Sequence, residues 1–301
     1  MSVSVIIPNY NNAPFLERCL TSVVDDPAVC EVLVYDNAST DASISTLERL
    51  AHSKVRIIVG DRNIGASRAR HCAVAEAKAP YLAFLDGDDF FEELTLSRCL
   101  ERAIAEDLDI CGVQTMLVDV DAGQRRAFVP APSAMDGQAA VLKTLGGWQF
   151  DPGSGIIRKE IYQKAVEGFT FYGYSDDELL SRRMVRVARR ISGAEGTYFY
   201  RLGPRQPSNE QIAMRLITHV RSLALASDSP GANAHALLSA SRRHVLRTLA
   251  VLSMKKSDHK SLLALRQACK ETGELAIPWR VADLPYRFAM VVAGRILAAR
   301  T

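Results

Sequence analysis

Four short apolar runs, separated by helical patterns and each closed by polar residues, constrain this chain more than any other feature. Val3–Ile7 ends in Pro8 and the turn Asn9-Tyr10-Asn11-Asn12, and Val29–Tyr35 ends in Asp36-Asn37-Ala38-Ser39-Thr40-Asp41. Val55–Val59 leads to Asn63-Ile-Gly-Ala-Ser67, and Tyr81–Leu85 breaks into Asp86-Gly87-Asp88-Asp89. All four read as strands; Tyr81–Leu85, a continuous apolar run, reads as one buried on both faces, and Val3–Ile7 as a short strand of the same buried type. Between the first two, residues 13–24 carry Phe15, Leu16, Cys19, Leu20 and Val23 at helical spacing. Asp41 or Thr40 is placed to cap a helix through Leu50, and a third helix runs to about Lys78. The order β-α-β-α-β-α-β predicts an α/β fold with a mostly parallel sheet and helices on both faces. Ligands of such sheets sit beyond the carboxyl ends of the strands, where the clusters at 9–12, 36–41 and 86–89 all fall. That convergence points to a nucleotide-type site.

The last cluster carries the most chemistry. Three carboxylates within four residues repel one another unless a cation neutralises them. Hard divalent ions such as Mg2+ or Mn2+ bind through one or two carboxylates together with substrate phosphates. Gly87 removes bulk where a phosphorylated ligand would approach the backbone. A solvated Asp/Gly turn is the plainer alternative. No GxGxxG and no GxxxxGK[ST] occurs at a strand–helix junction, so phosphate must be held by metal and basic side chains, with Arg62, Arg68 and Arg70 as candidates.

Further along, residues 93–107 read as a helix and Ile110–Val118 as a strand. Residues 119–136 read as a surface excursion, and 137–144 as a short helix. Gly146–Gly155 forms a loop whose Trp148 either stacks on an acceptor or packs at the rim. A second acidic cluster, Ser175-Asp176-Asp177-Glu178, opens a helix through about Arg190. Ser175 and Glu178 have the spacing of a capping box, so these carboxylates serve either as helix-start chemistry or as a general base.

Composition bounds the rest. With 301 residues, 48% hydrophobic and 24% charged, the chain suits a large globular domain with an appendage. Six scattered cysteines without CxxC spacing fit reduced thiols, and the opening residues show no signal-peptide pattern. No apolar stretch reaches the ~18 residues of a spanning helix. A cytoplasmic location is expected. Residues 210–301 hold 14 Lys and Arg against 6 Asp and Glu, leaving 23 against 28 in residues 1–209. The division expected is therefore a catalytic domain over 1–209 and a basic helical region over 210–301, with no nucleic-acid partner. The last helical pattern, residues 284–299, suits packing on the domain, a homodimer contact, or lying on an anionic membrane at the inner face of the cell.

The order of motifs resembles family 2 inverting glycosyltransferases of the GT-A fold. The residues that carry it are Val3–Asn11, Val34–Asp41, Asn63–Arg70, Leu85–Asp89, Asp176–Leu179 and Tyr200-Arg201, over roughly residues 1–205. The resemblance implies that Tyr10 and Asp36 contact the nucleotide base. It implies too that Asp86 and Asp88 form a DxD motif for Mn2+ or Mg2+, and that Asp176 or Asp177 deprotonates the acceptor. The candidate donor-binding set is thus Pro8, Tyr10, Asn11, Asp36, Arg68, Arg70, Asp86 and Gly87. The implied partners are a nucleotide-sugar donor, with UDP as the expected nucleotide, and a saccharide or lipid-linked acceptor in cell-surface polysaccharide or glycolipid synthesis. Two departures stand out: Asp-Asp replaces the usual Glu-Asp at the base, and Leu202-Gly203 follows Tyr-Arg where many members have His. Rival readings are an inactive donor-binding scaffold, a sugar-phosphate nucleotidyltransferase, and a haloacid-dehalogenase-type phosphatase. That phosphatase class carries its DxD near the N-terminus, whereas this one arrives at residue 86.

Overall fold

The computed structural model describes residues 1–119, 124–137, 139–140, 154–171 and 176–202, all within one compact unit. Trp148, Ser175 and the basic region 210–301 lie outside them. The four expected strands are β1 (Val3–Asn9), β2 (Val29–Asp36), β3 (Val55–Val59) and β4 (Tyr81–Phe84). Between them lie α1 (Leu16–Thr21), α2 (Ser43–Arg49) and α3 (Ala66–Glu76). β1 pairs in parallel with β2 and β4, and β2 in parallel with β3. All seven residues of β1 are buried, as a central strand requires.

Pro8 sits inside this central strand, where proline normally breaks the ladder. It is tolerated because β4 has already left. The Leu85 N–H bonds the Ile6 carbonyl at 3.0 Å, and the β1–β4 register ends at Ile6 and Phe84. Pro8 is next on that side, so its missing N–H leaves no ladder bond unmade, and the β4 chain is free to turn at Asp86.

Beyond β4 come β5 (Phe90–Phe91), α4 (Thr95–Ala105), β6 (Ile110–Asp119) and β7 (Gln124–Val129). Next are β8 (Gly155–Arg158), α5 (Lys159–Val166), α6 (Asp176–Val187) and β9 (Ile191–Arg201). The nine strands form one sheet in the order β3-β2-β1-β4-β8-β6-β9-β5, with β7 beside β6. The sheet is mixed. Its first four strands are parallel, β8 is antiparallel to β4 and β6, and β9 returns parallel to β6. The expected surface excursion over 119–136 is corrected here, since Gln124–Val129 pairs antiparallel with β6 as a hairpin arm. Gly155, expected in a loop, opens β8. A Cβ there would lie 2.1 Å from the Cys111 carbonyl, so the closeness of β6 demands glycine.

Strand alternation sends Val3, Val5 and Ile7 into a core with Leu16, Cys19 and Leu20 of α1 and Leu96, Cys99 and Leu100 of α4. On the other face α3 packs against β1 and β2, with the small buried residues Ser67, Ala69 and Ala73 letting it come close.

At the start of β6, Asp109 is fully buried. It accepts the Arg189 N–H at 2.7 Å and the guanidinium at 2.9 and 3.1 Å, with Arg158 at 3.3 Å. Burial opposes its charge, yet the Arg189 bonds prevail and hold the carboxyl below its ordinary 3.8. A depressed folded value means stability present above the unfolded value and lost as pH falls through the folded one. Asp109→Asn is expected to cost ~1–3 kcal/mol at neutral pH. Urea titrations should show that gap narrowing toward pH 3, and a gap independent of pH would refute the assignment.

Candidate active site

Three loops at the carboxyl ends of β1, β2 and β3 are stitched together by amide side chains. Asn9, buried at the end of β1, donates to Asp36 Oδ1 at 2.8 Å and to Ser39 Oγ at 3.2 Å. Asp36 also accepts the Ser39 hydroxyl at 2.6 Å and its N–H at 2.9 Å. Asn11, at φ 56°, turns its Oδ1 onto the Thr40 N–H at 2.8 Å and the Asp41 N–H at 3.3 Å. Asp41 in turn accepts the Ala13 and Ser43 N–H groups. Asn37 donates to Asn63 at 2.9 Å and accepts the Ile64 N–H at 2.8 Å, which fixes the entry to α3. The polar residues read in sequence as ligand contacts therefore build the loop scaffold as well. Tyr10 stays 45% exposed above it, free to offer a ring face.

Against this scaffold stands the acidic turn. Gly87 is buried there because a Cβ would lie 3.0 Å from Asn9 Oδ1 and 3.1 Å from Asn12 Nδ2, with the Pro8 carbonyl at 3.5 Å. The space that glycine leaves is thus taken by the protein's own first loop.

The three carboxylates meet different fates. Asp86 is ion-paired with Arg70, which reaches it from α3. Burial opposes the charge of Arg70, but Asp86 and then Asp177 raise its proton affinity, so the acidic start of α6 is within electrostatic reach of this pair. Arg70 Nε is buried without a hydrogen bond. Asp89 is buried, accepting the Tyr198 hydroxyl at 2.5 Å and the Arg201 N–H at 2.7 Å. Burial, then Asp86 and Asp88, push its carboxyl up to about 8. Asp88 is half-buried and raised by burial and by Asp86. Among the described residues no side chain donates to its carboxylate, while Arg201 Nε holds its carbonyl at 2.9 Å.

This donor set fits a hard divalent cation. Asp86 and Asp88 present partly exposed carboxylates on one short turn, and burial and then Asp86 raise the proton affinity of Asp88. No cluster of three metal-ligating side chains occurs among the described residues. Two carboxylates suffice for such an ion, since Mg2+ commonly binds through one or two carboxylates together with substrate phosphates and water.

Arg68, grouped in sequence with Arg70, points elsewhere and donates to the Phe171 carbonyl at 2.8 Å. Arg62 is exposed beside the third loop. At the start of α6, Asp176 is buried and Asp177 exposed. Glu178 is ion-paired with Arg182 at 2.6 Å, and its capping-box partner Ser175 lies outside the described residues. The sequence placed Asn9 and Ser39 in its polar clusters and Arg201 in the Tyr200-Arg201 motif without assigning them these bonds, and Tyr198 drew no notice. Arg201 also stacks over Phe15, at 4.4 Å from the ring.

A family model described as glycosyl transferase family 2 matches residues 4–165. An uncharacterized glycosyltransferase of Nostoc, alr2836, is 33% identical over 173 residues, covering 54% of this chain and 53% of that protein. The succinoglycan biosynthesis protein ExoO of Rhizobium meliloti is 32% identical over 133 residues, covering 44% of this chain and 38% of that one. The chain thus spans about half or less of these relatives' lengths. Among solved structures, TarS of S. aureus in complex with UDP superposes with a TM-score of 0.66 at 19% identity, covering 99% of this chain and 87% of that one. TarS has also been solved in complex with UDP-GlcNAc.

The packing around Gly87 yields a direct test. Gly87→Ala pushes its methyl into Asn9 and Asn12, and should cost ~1–3 kcal/mol of stability, as overpacking does. A thermal melt unchanged from wild type would show that the first loop yields and that its contact with the acidic turn is loose.

Proposed function

The chain belongs to glycosyl transferase family 2, and we propose that it moves a sugar from a UDP-linked donor to an acceptor hydroxyl with inversion at the anomeric carbon. The observation that carries this reading is the meeting of Asp86, Asp88 and Arg70 at the sheet's carboxyl edge, within electrostatic reach of Asp177. UDP as the nucleotide is supported by the complexes of TarS with UDP and UDP-GlcNAc. The name of ExoO supports a role in extracellular or cell-surface polysaccharide synthesis, with a saccharide or lipid-linked acceptor. No helix among the described residues is long and apolar enough to cross a membrane.

The chemistry follows from the residues. Tyr10 and the Asp36 loop form the wall on which a base would rest, beyond the ends of β1 and β2. Asp86 and Asp88 would hold Mn2+ or Mg2+, which when bound supplies charge neutralisation for the leaving diphosphate. Arg70 adds a fixed positive charge to the same edge. The acceptor oxygen bonds the anomeric carbon from the face opposite the leaving group, the bond to the diphosphate breaks, and the hydroxyl proton passes to a carboxylate of the Asp176–Asp177 pair. Donor and acceptor held in line replace a bimolecular encounter by a positioned one.

Two substitutions test this scheme. Asp88→Asn is expected to keep the fold, since that carboxylate carries no described side-chain bond, and to reduce transfer from UDP-sugars to background. Unchanged turnover in that variant, or in EDTA, would remove the divalent ion from the mechanism.

For the base, one of Asp176→Asn and Asp177→Asn should lower turnover by ~10²-fold or more with UDP affinity retained. The other should show a helix-start effect of ~1 kcal/mol or less. Full activity in both would leave the pair with helix-start chemistry alone.

A further inference from the structure

We propose that Arg68 is a positioning residue for the acidic start of α6, acting through Phe171, and does not hold the donor; this rests on the transferase reading above. Its guanidinium donates to the Phe171 carbonyl at 2.8 Å. One turn on, the His71 ring lies 5.2 Å from the ring of the same Phe171. Two α3 residues three apart, and so on one face of the helix, thus hold one residue by its backbone and by its side chain. Arg70 is two positions from Arg68, about 200° around the helix, and faces Asp86. A side chain committed to Phe171 is therefore turned away from the acidic turn.

The grip on Phe171 is part of a wider clamp. His71 Nδ1 lies 3.2 Å from the hydroxyl of buried Tyr162, whose ring packs 5.6 Å from Phe84 on β4. Phe169 meets Phe171 edge-on at 4.9 Å. From α6, Arg183 lies over Phe169 at 5.3 Å and donates to the Glu167 carbonyl at 2.7 Å. The segment 167–171 is held from α3 on one side and from α6 on the other, and Phe171 stands five residues before Asp176. Small misplacements of a reacting group, of about 1 Å, can cost ~10²-fold in rate, so a hold of this kind matters to a general base.

Hydrogen–deuterium exchange on the wild type, Arg68→Met and Arg68→Lys tests the clamp, with Mn2+–UDP calorimetry and UDP release from UDP-GlcNAc measured alongside. Arg68→Met should speed exchange in residues 169–171 and in the first turn of α6 by ~10-fold. It should lower kcat ~10-fold with donor KM and UDP affinity within ~2-fold. Arg68→Lys, which can still donate to the carbonyl, should recover most of both effects. Unchanged exchange in Arg68→Met overturns the proposal, as does a UDP affinity weakened ~10-fold or more. Failure of the wild type to bind UDP counts against the nucleotide reading alone, because the exchange comparison still decides whether Arg68 holds the helix start.

Discussion

Repulsion among Asp86, Asp88 and Asp89 is the constraint on which the site depends. Unit charges 4 Å apart interact by ~4 kcal/mol at the effective dielectric of a protein surface, a large share of a domain's stability. The fold relieves this in three ways. Asp86 is paired with Arg70, Asp89 is buried under Tyr198 and Arg201 with its proton affinity raised, and Asp88 stays half-exposed toward water. Each solution brings in a different element. Arg70 requires α3 to lie close on β1 and β2, which its small residues allow. Tyr198 and Arg201 require the last strand to return beside β5, where Phe90 and Phe91 pair with Phe199 and Tyr198. The most distant part of the described sheet is thereby tied to the acidic turn.

The half of the fold that was legible in the sequence is the parallel half, where β1, β2 and β4 are largely buried and β3 closes the edge. Val3–Ile7, Val29–Tyr35, Val55–Val59 and Tyr81–Leu85 are apolar because they lie in or beside the parallel core, and the observed strands differ from them by at most two residues. β7 and β9 gave no such signal. Gln124-Arg-Arg-Ala-Phe-Val129 carries no apolar run, and among the described strands it pairs with β6. Ile191–Arg201 carries Ser192, Gly193, Glu195 and Gly196, and owes its strand geometry to pairing with β6 some 80 residues earlier in the chain, which no local pattern encodes.

The site divides along the same line. Asp86 and Asp88 stood out because carboxylates are crowded within a few residues, a local signal. Which supports hold them was not legible, because Arg201 and Tyr198 meet Asp88 and Asp89 across more than 100 residues of chain. Arg68 is a different case. Sequence proximity to Arg70 suggested a shared role, while the helix sends the two side chains to different neighbours. Spacing along a helix decides direction before residue type decides chemistry.

The same geometry bears on the acidic pair at the start of α6. Asp176 and Asp177 are consecutive helical residues, so their side chains diverge by about 100° and cannot serve one group together. Asp177 is exposed, and its charge is felt by Arg70. Asp176 is 2% exposed, on the face that also buries Leu179 and Leu180. A carboxylate with only a helix-start role gains from the dipole while remaining in water, which describes Asp177 better than Asp176. Asp176 is engaged in an interaction of its own, so its burial does not by itself mark a general base. Electrostatic reach toward Arg70 belongs to Asp177, whereas enclosure belongs to Asp176, because the helix turns one side chain to water and its neighbour to the core.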